Sequence, residues 1–180
     1  DGGYSAAPVD QETGKYVLSL SALGSEGYRP GNLKHVPDTE QTRSASLSRG
    51  DLLISRANTA DLVGRVGIFC EARDDVSFPD TMMRLRLKPE VSNEFAAAVL
   101  GSIHGRTHMR RSAAGSATSM VKINRASLGR LRFPIVSRST QRAFLEDLKV
   151  QDHALARLDS ETGALERLRT ALVEEVFGGN

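Results

Sequence analysis

From Ser139-Thr140 to Phe177 the chain runs through "QRAFLEDLKVQDHALARLDSETGALERLRTALVEEVF" without a proline, and no other feature limits its possible folds so sharply. Ser and Thr are good helix N-caps, and Gly178-Gly179 is a stop signal, so the pattern predicts one long helix. The positions Leu148, Gln151, Leu155, Leu158, Thr162, Leu165, Arg169, Leu172 and Val176 follow a heptad seam that is apolar at six of nine places. Leu145, Leu168, Val173 and Phe177 widen the stripe, and Gly163 is its weak point, costing about 1 kcal/mol relative to Ala. At about 1.5 Å per residue the helix would reach roughly 55 Å, too long for the preceding 138 residues to cover. The expectation is a coiled coil with a helix from another copy or another chain, the alternative being packing against the chain's own sheet.

Charge divides the chain at the same place. Residues 1–138 carry 19 Lys+Arg against 14 Asp+Glu, whereas residues 139–180 carry 5 against 8. From Phe95 to Leu145 there is no acidic residue, but there are Arg106, Arg110, Arg111, Lys122, Arg125, Arg130, Arg132, Arg138 and Arg142, with His104 and His108 nearby. A block of one sign attracts polyanions, although a solvated basic face would look the same in sequence. The chain is therefore read as a domain over 1–138 and a spacer or dimerisation helix over 139–180.

Within the first part, strands are predicted at 15–20, 51–56, 63–70, 82–88 and 130–136, joined by links rich in Gly, Pro, Asn and Asp. Such links suit an antiparallel or mixed sheet better than βαβ units, so the fold class is α+β. A helix is expected over 93–104, capped by Ser92 or Asn93 and stopped by Gly105, with a basic loop after it. The lone Cys70 ends an apolar run; it is read as a buried, inert thiol in a reducing compartment, the cytoplasm. No stretch reaches the 18 or so apolar residues of a membrane helix, and no signal peptide is expected, although the start at "DGGYSAAP" lacks Met.

Catalytic patterns are missing from the sequence. There is no G-x-x-x-x-G-K-[ST] phosphate loop, G-x-S-x-G elbow or H-E-x-x-H zinc helix. His104 and His108 stand four apart but lack an acidic neighbour, so no metal is expected there. Pro79-Asp80 followed by "RLRLK" offers one carboxylate and one Lys, short of a nuclease metal site. Asp74, Asp75 and Asp80 are read as turn formers. A methyltransferase would need a Gly-rich cofactor loop and a motif such as Asn-Pro-Pro-Tyr, and neither is present. No enzyme activity, cofactor or metal is expected.

Four stretches, "DGGYSAAPV", "GDLLISRANTADLVGRVGIF", "SMVKINRASLGRLRFPIV" and the helix from "QRAFLEDL" to "VEEVFGG", taken in this order, resemble the specificity subunit of type I restriction–modification systems. The resemblance covers nearly the whole chain. It implies a target recognition domain that reads one half of a bipartite sequence in double-stranded DNA, followed by one spacer helix. It also implies that methyltransferase (modification) and restriction subunits dock on the chain and carry the chemistry. A typical family member has two recognition domains and two spacer helices, whereas here there is one of each. The chain is thus a half-subunit that self-associates, or a fragment. Two other readings stay open on the sequence: the recognition domain of a single-chain restriction–methyltransferase fusion, and a coiled-coil protein that does not touch DNA.

DNA contacts need Lys/Arg and hydroxyls for phosphates, and Arg, Asn, Gln or hydroxyls for base edges. The polar insert Ser55–Asp61 supplies Arg56, Asn58 and Thr59. The segment after Gly105 supplies Arg106, His108, Arg110, Arg111, Ser112, Ser116, Thr118, Ser119 and Lys122. A third group is Tyr28, Arg29, Asn32, Lys34 and His35. Because the insert belongs to what resembles the family in general, it is assigned to the fold or to phosphates, and base contacts are assigned chiefly to 106–119. Arg65, Arg84 and Arg86 alternate along strands and are read as a basic stripe or as partners for carboxylates.

Overall fold

The computed structural model describes residues 1–114 and 120–177, apart from the side chain of Val176. The chain divides into two compact units, Asp1–Arg138 and Ser139–Asn180.

The first unit is organised around "LLIS", whose four residues form strand β5 (Leu52–Ser55), buried at every position. An alternating strand buried on both sides must present successive residues to different cores. Leu52 and Ile54 enter one apolar cluster with Val63, Met83, Ala96, Leu100 and Met109, while Leu53 enters another with Leu18, Leu47, Phe69, Phe78 and Met82. Two antiparallel neighbours complete the sheet: β7 (Val66–Ile68) pairs Leu52 with Ile68, and β9 (Met82–Leu85) pairs Ser55 with Met82. A second sheet has β1 (Tyr16–Leu18) between antiparallel β4 (Leu33–His35) and parallel β8 (Val76–Ser77). Two short ribbons, β2 (Leu23–Gly24) with β3 (Gly27–Tyr28) and β6 (Ala57–Asn58) with β10 (Val121–Lys122), finish the β structure. The unit is α+β with one mixed sheet and otherwise antiparallel pairing, as expected.

Among the described residues of this unit, four short α-helices decorate the sheets, each started by a polar cap, besides a single 3-10 turn at Leu20–Ala22. Thr39 and Asn124 form capping boxes at α1 (Glu40–Ser44) and α4 (Arg125–Gly129). Ser92 and Ser102 accept from Phe95 N and Gly105 N at α2 (Asn93–Gly101) and α3 (Ile103–Ser112). The single helix expected over 93–104 is therefore two. Ser102 adopts ψ 163°, which breaks the first helix and caps the second. Gly105 lies inside α3 rather than stopping α2, and a Cβ there would stand 2.4 Å from Leu100 O, so it is the residue that lets the corner close.

The strand expected at 130–136 is absent. Pro134 has no N–H for a ladder, and the segment is held by side chains instead: Leu131 is buried, and Phe133 meets Phe95 edge-on at 5.9 Å. The apolar run at 63–70 becomes a strand only from Val66, because Gly64 turns the chain with φ +74°. Cys70 is exposed, not buried, since Phe69 takes the inward position at the end of that run.

The second unit is the long helix α5 (Arg138–Phe177), 40 residues, or about 60 Å at the standard rise. Its apolar stripe is uncovered: Leu155, Leu158, Leu165, Leu168, Leu172, Val173 and Phe177 are all more than half exposed, while Leu148 is partly buried. No helix among the described residues is long and apolar enough to cross a membrane.

Gly64 makes the fold sensitive at one point. Its φ is positive, and an added Cβ would lie 2.5 Å from the Met109 Cβ of α3. Gly64→Ala should destabilise the first unit by about 1–3 kcal/mol in urea unfolding. Gly129→Ala, in α4 with open space around it, should leave the midpoint nearly unchanged or raise it.

Candidate nucleic-acid interface

The polar insert is not a free loop. Ala57 and Asn58 pair with Lys122 and Val121, and Arg56 bonds through its backbone to Thr81 O (2.8 Å) and Ile123 N (2.9 Å). Asn58, expected among the DNA contacts, is buried. Its amide donates to Ser55 Oγ at 3.3 Å, and its Oδ1 accepts from Thr59 N at 2.9 Å, so it shapes the turn and presents nothing to a ligand. The Arg56 guanidinium donates to Asp80 O at 3.2 Å, whereas the Thr59 side chain is exposed. Beyond Thr59 the chain tightens, with Thr59 O accepting from Leu62 N and Val63 N.

Helix α3 lies on that turn, because Met109 packs on the bare face of Gly64. Arg106 reaches down beside it and donates to Val63 O at 2.6 Å and Asp61 O at 2.7 Å. One planar fork thus satisfies two carbonyls that a tight turn leaves without partners. Burial holds the Arg106 guanidinium below its ordinary pKa; Arg65 and Arg110 add repulsion, and Asp61 opposes them. His108 contacts Ser127 O at 2.7 Å, and because a carbonyl only accepts, Nε2 carries the proton. Ser127 in turn belongs to the capping box of α4, so His108 ties α3 to α4. Ser112 lies within 3.4 Å of the same imidazole nitrogen.

These contacts sort the expected site residues. Arg106, His108 and Ser112 face the protein and position α3. Arg110 and Arg111 are exposed at the last turn, with Ile103 and His104 exposed at the first. The Lys122 side chain is exposed at β10, next to the insert, while its backbone pairs with Ala57 and Ala114. Thr59, Arg110, Arg111 and Lys122 are therefore the exposed polar members of one assembly of turn, helix and ribbon. Ser116, Thr118 and Ser119 lie outside the described residues. Asp61 was missed in the sequence: its Oδ1 is 3.2 Å from Arg110 Nη2, a pairing across 49 positions that no local spacing signals.

The third group behaves differently. The Tyr28 hydroxyl donates to Glu71, and burial together with that carboxylate holds its pKa above the ordinary phenol value. Asn32 accepts from Ser21 Oγ at 2.7 Å and donates to Arg29 O at 3.1 Å. Of the arginines read as a basic stripe or as partners for carboxylates, Arg84 and Arg86 are the latter. Arg84 pairs with Asp51 at 2.9 Å and donates to Ser46 O, and Arg86 pairs with Asp1 at 3.1 Å, so both are engaged by carboxylates.

No protein-family model and no curated protein matches the chain. Solved structures do match it in fold. A chain from a structure describing complex assembly and conformational transition of the type I system aligns over 98% of this chain with TM-score 0.65 and 19% identity. The HsdS subunit from Thermoanaerobacter tengcongensis aligns over 99% with TM-score 0.60 and 19% identity. In both cases this chain spans 42% of the length of the chain it matches.

The clamp formed by Arg106 gives a direct test. Arg106→Ala leaves the Val63 and Asp61 carbonyls without their donor and should cost about 1–3 kcal/mol, with faster hydrogen exchange at 59–64. Arg111→Ala should stay within about 0.5 kcal/mol of the parent. Equal stability of the two variants would show that the turn is held by other contacts.

Proposed function

We propose that this chain is a DNA-specificity component of a type I restriction–modification system. Residues 1–138 act as a target recognition domain for one half of a bipartite double-stranded sequence. The helix from 139 acts as a spacer that forms a coiled coil with a second helix, from another copy or from a partner. Methyltransferase and restriction subunits dock on it and carry out the reactions, while the chain itself catalyses nothing and works in the cytoplasm. The observation that carries this reading is the assembly of insert and α3, an acid-free helix held on a rigid turn with Arg110 and Arg111 exposed, within a fold shared with specificity subunits. Arginines so placed suit phosphate or guanine contacts, and Thr59 and Lys122 add further donors. The missing catalytic motifs agree with a non-catalytic role.

Two measurements test it. Replacing Arg110 and Arg111 together with Ala should weaken binding of a random-sequence duplex and flatten the plot of log affinity against log salt by about two, one for each lost phosphate contact. Unchanged affinity with an intact fold would overturn this surface. For the helix, sedimentation should show self-association, or complex formation with a methyltransferase subunit, that is lost in Leu155→Glu/Leu165→Glu. A parent chain that stays monomeric at every concentration, alone and with that subunit, would overturn the spacer role.

A further inference from the structure

Asp61 is an acidic side chain that the fold brings to α3, a helix from the acid-free stretch 95–145. It is held there on purpose-built geometry: Arg106 fixes its backbone carbonyl at 2.7 Å, and its carboxylate stands 3.2 Å from Arg110 Nη2. Burial holds Arg106 below its ordinary pKa, Arg65 and Arg110 add repulsion, and Asp61 partly opposes them. Yet the Asp61 and Arg110 side chains are 81% and 57% exposed, and an ion pair so open to water contributes little to folding. Its main effect falls on whatever Arg110 meets outside the protein.

We infer that Asp61 is a specificity-setting residue, an electrostatic brake whose carboxylate competes with DNA phosphate for Arg110 and lowers the sequence-independent attraction of this face for any duplex. The inference rests on the proposal that this face meets DNA. A carboxylate and a phosphate offer an arginine the same kind of charge-assisted hydrogen bond, so a phosphate arriving at Arg110 must displace Asp61 and then remain beside its charge. Every duplex bears this cost through its backbone. Short-range base contacts then have to supply the affinity, which is how a repulsive element sharpens discrimination.

Asp61→Asn keeps the shape and the backbone carbonyl used by Arg106 while removing the charge; Asp61→Ser is a second variant that also removes the charge and keeps that carbonyl, with a smaller side chain. Binding of a random-sequence duplex is measured over a salt series for the full chain, with urea unfolding as the check on folding. Both variants should bind about threefold to tenfold more tightly at low salt, with the log–log salt slope steeper by about one, and keep the parent unfolding midpoint. In an Arg110→Ala background the gain should vanish. If the parent binds the duplex and folded Asp61 variants bind no better, or if the gain persists without Arg110, the inference is overturned and the DNA-binding reading stands. If the parent shows no salt-dependent duplex binding at all, both fall together.

Discussion

The burial of β5 on both faces is the constraint on which the first unit depends. Leu52 and Ile54 point to one cluster and Leu53 to the other, so a slip of one residue would exchange the contents of both cores. Paired β9 repeats the division, with Met82 on one side and Met83 on the other. The consequence reaches the surface directly. Ser55, the last residue of β5, bonds through its carbonyl to Gly64 N and through its hydroxyl to Asn58, so the turn of the insert starts from the most tightly determined strand in the unit. A side chain at Thr59 or Asp61 is therefore positioned by the core and not by a loose loop.

Helix and turn also depend on each other. Gly64 is needed for its positive φ and for the room it leaves Met109, and Met109 carries α3 into the cluster that contains Ile54 and Val63. Arg106 adds a polar lock at the same contact. Charge is thus divided by task along a single helix. Arg106 is desolvated and structural, whereas Arg110, one turn further on, keeps most of its exposure and pairs with a carboxylate that is more open still. Counting Lys and Arg in a segment measures its attraction for polyanions but not how many of those cations are free to act.

That distinction marks the limit of what the residues disclose before they are folded. Short alternating or continuous apolar runs made β5, β7 and β9 legible, and the uninterrupted heptad run made α5 legible, because such patterns are local. The segment 130–136 has the same alternation, but Pro134 removes a donor and Phe133 finds Phe95 instead of a strand partner. Gly105 reads as a stop in sequence; only the approach of Leu100 O shows it to be a packing glycine inside a second helix. Asn58 has the side chain of a base reader, yet its hydrogen bonds to Ser55 and Thr59 turn it inward. Asp61 ends the polar insert itself. Its importance comes from Arg110, 49 positions away, and no periodicity links the two.

On the proposed reading, the two units answer different physical demands. A recognition surface must hold a few polar groups to within fractions of an ångström, and short strands with tight turns and buried glycine contacts achieve this at the insert. A spacer must hold a length, and a helix does so because each residue adds about 1.5 Å with little variation. The exposed stripe of α5 is what such a rod requires: Leu155, Leu158, Leu165 and Leu172 find no cover along the single helix, and each would contribute about 1.5–3 kcal/mol if fully buried against a partner. Association through the stripe would therefore be driven by the seam itself. A residue inserted before the seam would turn everything beyond it by about 100°, whereas an insertion in a surface loop of the first unit would be absorbed locally. On the proposed reading, the spacing between half-targets is consequently encoded in the length of α5, independently of which bases the first unit selects.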